Sequence, residues 1–114
     1  MNEKQQQNPA DRILGLIGIA RRAGKITFGF DAVVQDIFKG RAKGVFLSSD
    51  ASERTSLKIK DACLEYKIRL TRLEAEKSQL GTAIGRGDTA VIAVLDKPLA
   101  ERIAELSVAD DNTA

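Results

Sequence analysis

The sequence predicts a single-domain, three-layer α/β/α sandwich, and three observations predict it. Segments with apolar residues at helical spacing alternate with short apolar runs of strand length. Two of those runs, residues 44–47 and 89–95, are nearly continuous, as expected of strands covered on both faces. The third is size: 114 residues, 43% of them hydrophobic, suit one compact core rather than two. No internal repeat, low-complexity tract or inter-domain linker interrupts the chain.

The elements follow in order. Residues 1–10 are polar and glutamine-rich and read as a loose tail, while residues 11–107 form the folded domain. Asp11 is placed to cap a first helix running to about Ala23, with Ile13, Leu16, Ile17 and Ala20 on one stripe. Arg21 and Arg22 suit its C-terminal dipole, and Gly24 suits the position after its last turn. A short extended piece over residues 25–28 leads to Gly29. The second helix places Phe30, Val33, Val34, Ile37 and Phe38 inward and stops at Gly40. Asp31 and Gln35 share its outer face, with Lys39 a turn further. Asp50 and Glu53 have the spacing of a capping box opening a third helix to about Tyr66. Its inner stripe is Ile59, Ala62, Cys63 and Tyr66. A less buried strand over residues 68–73, carrying Arg69 and Arg72, a short helix over 77–84 and the strand over 89–95 come next. Pro98 suits the first turn of a last helix to about Leu106, and residues 108–114 are expected to fray.

Composition excludes several functions. Histidine is absent, which removes the usual near-neutral acid/base group and the commonest metal ligand. Cys63 is the sole cysteine, so neither an internal disulfide nor a thiol–imidazole pair can form, and it reads as a small buried apolar residue. Gly18 and Gly24-Lys25 miss the phosphate-loop spacing, because five residues intervene and Ile26 follows the lysine. No glycine-rich turn has the dinucleotide spacing. The pairs Asp31 and Asp36, and Glu74 and Glu76, read as solvated charges without a pocket. No catalytic residue, cofactor or metal is expected. Aromatic content is 4%, too sparse for a platform stacking several unpaired bases. No signal peptide or membrane span is read, and a cytoplasmic location is expected.

Charge is asymmetric although the net value is only +2. Residues 1–72 hold 14 Lys and Arg against 8 Asp and Glu, or +6; residues 73–114 hold 4 against 8, or −4. Such a distribution leaves a one-sided footprint for a polyanion. Two loops, residues 25–31 and 84–88, combine glycines with basic residues, and in a sandwich they could share one end.

Three separated motifs then point the same way: Lys25-Ile26-x-x-Gly29-x-Asp31-Ala32-Val33, Lys39-Gly40-x-Ala42-Lys43, and Leu80-Gly81-x-Ala83-x-Gly85. Over residues 13–106 the chain resembles the kink-turn RNA-binding ribosomal-protein superfamily, the L-seven-Ae and L-thirty-e group, and within it the small bacterial YlxQ-like branch. The resemblance implies a sandwich built around a four-stranded mixed sheet and binding to kinked or internally looped RNA. It implies contacts from Gly29, Phe30, Asp31, Ala32, Gln35 and Lys39 on the second helix. It also implies contacts from Lys77 and from Gly85, Arg86, Gly87 and Asp88 before the last strand, with Lys25 and Lys43 alongside.

The family's archaeal-type motif reads Gly-x-Asn-Glu-x-x-Lys, whereas this chain has Gly29-x-Asp31-Ala32-x-x-Gln35. Ionised Asp31 can only accept, and Ala32 removes a carboxylate that would read a base edge. Arg86 stands where an apolar contact would pack on an extruded base, and Asp88 stands for an arginine. These departures imply recognition through backbone phosphates and shape more than through base edges. The expectation is a non-enzymatic, ribosome-associated protein binding an element of rRNA or mRNA, with no DNA, membrane or oligomer partner. The alternative is a protein–protein adaptor on the same scaffold.

Overall fold

The computed structural model of the chain describes residues 9–112. Five helices and four strands alternate over these residues: α1 (Pro9–Arg22), β1 (Ile26–Phe28), α2 (Phe30–Phe38), β2 (Gly44–Leu47), α3 (Glu53–Tyr66), β3 (Leu70–Arg72), α4 (Lys77–Ile84), β4 (Val91–Val94) and α5 (Lys97–Asn112). The tail expected over residues 1–10 lies outside the described residues except for its last two, which open α1. Asp11 therefore sits within the first turn and is not the cap. At the other end, α5 continues to Asn112 through positions where fraying was expected, because neither glycine nor proline follows Pro98 to stop it.

The sheet order is β1-β4-β2-β3. β4 pairs antiparallel with β1 and with β2, and β2 pairs parallel with β3 across the α3 crossover. The sheet is thus mixed and four-stranded, as the resemblance implied.

Side chains of the central strands alternate between two cores. Phe46, Ile92 and Val94 join Ile13, Ile17, Leu80 and Ile103 beneath α1, α4 and α5. Val45, Leu47, Val91 and Ala93 join Val33, Ile37, Ile59 and Cys63 beneath α2 and α3. Every residue of β2 and β4 is buried. That is why both runs are apolar throughout in the sequence.

Three local expectations give way to specific contacts. Ser52, not Asp50, caps α3 by accepting from the Thr55 N–H at 3.1 Å. Asp50 reaches across instead and accepts from the Lys77 N–H at 2.9 Å, holding the start of α4. Asp36 is 7% exposed rather than solvated: its carboxylate accepts from the Thr27 hydroxyl at 2.5 Å and faces Arg41 at 3.7 Å. Phe38 and Tyr66, expected inside, are 53% and 41% exposed, because each ends its helix at the rim of the core.

One glycine sets the position of a loop. A Cβ at Gly81 would lie 2.1 Å from the Gly87 carbonyl oxygen, so α4 packs directly on the backbone of the turn that follows it. Gly81→Ala is expected to destabilise the protein by about 2 kcal/mol, since backbone must shift to admit the methyl group. Urea denaturation measures this cost; a variant with wild-type stability would show that the turn is free to move.

Candidate nucleic-acid interface

Because β4 runs antiparallel to β1 and β2, the loop entering β4 meets the chain leaving β1. Gly29 donates its N–H to the Val91 carbonyl at 3.1 Å. The Arg86 guanidinium lies 5.0 Å from the Phe28 ring centroid, and that of Arg21 lies 5.1 Å from the same ring. Both distances suit cation–π attraction. Arg21 also donates from Nε to the Ile84 carbonyl at 3.1 Å, which ties α1 to the last turn of α4. A cleft of about 280 Å³ results, lined by Phe28, Gly29, Phe30, Arg86, Gly87 and Asp88 among others. The two glycine loops picked out in the sequence thus meet at one end of the sheet, called here the upper pole.

Three helices begin at this pole, and they differ in how their first N–H groups are satisfied. Ser52 caps α3, while Asp50 and the Glu76–Gln79 capping box hold α4. Desolvation works against the charge of Asp50, but the Lys77 N–H and other nearby donors outweigh it and keep the carboxyl below its usual range. Helix α2 starts at Gly29, which has no side chain to offer and makes no side-chain cap. The N–H groups of Phe30, Asp31 and Ala32 therefore have no acceptor among the described residues. With the positive end of the helix dipole behind them, they form a receptor for an anion or a hydroxyl oxygen. Gly29 itself has φ 92° and ψ 152°, a conformation essentially confined to glycine.

The structure brings together Gly29, Phe30, Asp31, Ala32, Gly85, Arg86, Gly87 and Asp88 at the upper pole. Lys77 joins them, because its carbonyl accepts from the Thr89 N–H at the root of the loop. Gln35 lies a turn down α2 on its exposed face. Lys25, Lys39 and Lys43 are elsewhere. The Lys25 carbonyl accepts from Leu95, and the Lys43 N–H donates to Val94, so both flank the far end of β4. Lys39 caps the C-terminus of α2, about 13 Å below its start for nine residues. Arg21 and Phe28 were not singled out in the sequence. A cue existed, an aromatic directly before the Gly29 turn, but nothing local shows that two guanidinium groups converge on its ring.

Residues 11–103 match the pattern of the ribosomal protein L7Ae/L30e/S12e/Gadd45 family. The chain is 38% identical over 91 residues to the RNA-binding protein YlxQ of Bacillus subtilis, covering 80% of this chain and 90% of that one. It is 37% identical over 108 residues to the RNA-binding protein YlxQ of Enterococcus faecium, covering 93% and 97%. A solved structure of a Bacillus halodurans protein of unknown function superposes with a TM-score of 0.80 at 34% identity, covering 84% of this chain and 96% of that one.

Gly29→Ala tests the backbone constraint at the pole. No atom would crowd the new Cβ, so the cost is conformational and is expected at about 1–3 kcal/mol. Thermal unfolding followed by circular dichroism measures it; an unchanged midpoint would mean that the turn relaxes to another conformation.

Proposed function

The chain belongs to the ribosomal protein L7Ae/L30e/S12e/Gadd45 family, and from that premise we propose that it is a non-enzymatic RNA-binding protein that selects kinked or internally looped RNA at the upper pole. The relatives named RNA-binding protein support RNA as the ligand. The observation that carries the site is the meeting of the uncapped α2 start with the Arg86 loop across Phe28. In this reading the free N–H groups of residues 30–32 receive a phosphate or 2′-hydroxyl oxygen. Arg86, held over Phe28, neutralises a second phosphate, and Gly85 and Gly87 let the backbone approach a groove closely. A sharp bend in the RNA brings two strands into reach of both loops together, which a straight duplex does not do. The ribosome is the proposed setting, in keeping with the family's name.

Base reading has few candidates in this cleft. Asp31 and Asp88 can only accept hydrogen bonds when ionised, and Ala32 has no polar side-chain atom. Donors come from the backbone, from Arg86 and from the Thr55 hydroxyl. That donor set recognises phosphate and shape rather than base identity.

Histidine is absent, and burial pushes the Cys63 thiol up to about 11, so it stays protonated and unreactive at neutral pH. Because its proton is held more tightly in the folded state, this group's contribution to stability is present below about pH 9 and is lost as the pH rises toward 11. Cys63 is therefore expected to resist an aromatic disulfide reagent at pH 7.5 and to react within seconds once denatured. Rapid labelling of the native protein would refute its burial.

The reading is tested by titrating a kink-turn RNA and a straight duplex of equal length at two salt concentrations. At least a ten-fold preference for the kinked RNA is expected, and equal affinities would overturn the proposal. Arg86→Ala is expected to cost about 1 kcal/mol of binding and to reduce the salt slope by about 0.9, with thermal stability nearly unchanged.

A further inference from the structure

The far end of the sheet, the lower pole, holds what the upper pole lacks. Helices α2 and α3 both end there, on Phe38 and Tyr66, whose rings lie 5.1 Å apart and are tilted by 37°. Both rings are substantially exposed (53% and 41%), and Leu57 and Leu64 of α3 are exposed as well. A cation follows each ring directly in the chain, Lys39 after Phe38 and Lys67 after Tyr66.

Both segments then run into one groove of about 400 Å³, which Gly40, Lys67 and Ile68 help to line. Lys43, Lys67, Arg69 and Lys97 stand around it against the single carboxylate of Glu101. Its floor is apolar, made by Phe46, Ala100 and Ala104. None of these cations makes an ion pair among the described residues; the Lys43 ammonium donates only to the Gly40 carbonyl, at 3.2 Å. Like charges held this close repel one another, so the arrangement favours a bound polyanion.

We propose that the lower pole is a second RNA surface, which binds a single-stranded segment by stacking a base on the Phe38–Tyr66 pair while the groove cations take the neighbouring phosphates. Exposed aromatics interleaved with a basic groove are the combination that unpaired strands require. A folded duplex offers phosphates but no open base face, and a small anion would leave the ring pair unused. The site is at the opposite end of the sheet from the Arg86 cleft, so it can hold a strand that leaves the structured element bound above. It stands independently of the kinked-RNA reading, since neither set of residues contributes to the other.

Tyr66 gives a direct readout, because the chain has one tyrosine and no tryptophan. Titrating the full chain with a ten-nucleotide oligouridylate is expected to quench tyrosine emission to saturation, through contact of a base with the ring. Arg69→Glu combined with Lys97→Glu alters two exposed side chains without hydrogen-bond partners, and Lys97 opens a helix, where an acidic residue is favourable. This double variant is expected to bind the oligonucleotide at least ten-fold more weakly and to lower the salt slope by about 1.4, the value for two phosphates of a single strand. Phe38→Ala is expected to weaken binding and reduce the quench. The double variant should keep the ratio of affinities for kinked and straight RNA. Binding without a change in tyrosine emission, or wild-type affinity in the double variant, overturns the proposal. Loss of kinked-RNA preference in the wild-type protein, with the quench retained, would instead sink only the upper-pole reading.

Discussion

The position of β4 governs the molecule. Inserted between β1 and β2 and hydrogen-bonded antiparallel to both, it has all four residues buried. It contributes Ile92 and Val94 to one core and Val91 and Ala93 to the other. Because β4 runs antiparallel to β1, the loop entering it reaches the end of the sheet where β1 stops and α2 begins. The Arg86–Phe28 contact, the Gly29–Val91 hydrogen bond and the cleft between them all follow from that direction. Strand pairing therefore decides where the two loops meet.

Much of this was legible in the sequence because it rests on local patterns. The β2 run and the span of α4 have the limits read from apolar periodicity and glycine punctuation. Gly24 and Gly40 both adopt positive φ, as expected of residues that end helices. The misplacements have a common origin: each concerns a side chain whose partner is distant in sequence. Asp50 has the right spacing to cap α3, yet its acceptor oxygen is used by α4, 27 residues away. Asp36 looks solvated in a charged stretch until β1 presents Thr27 to it. Phe38 and Tyr66 lie on the inner stripes of their helices, but those stripes outrun the sheet they cover.

The candidate sites divide in the same manner. Clusters of glycines, lysines and arginines were visible in the chain. Their division between two ends was not, since it depends on strand polarity. A lysine at the start of β1 and a glycine at its end are four residues apart in sequence, yet they face opposite ends of the fold. The pairing of Phe38 with Tyr66 was equally out of reach, since the two rings, on different helices, are 28 residues apart in the chain.

The reach of Asp50 to the start of α4 bears on the order in which the protein assembles. An eight-residue helix is too short to persist in water alone. Its first turn is anchored by a carboxylate that comes into place only when β2 has joined the sheet, and its last turn is anchored by Arg21. Contacts so remote along the chain close late in folding, after local ones. Helix α4 thus takes its final shape only once the sheet and α1 beside it have come together.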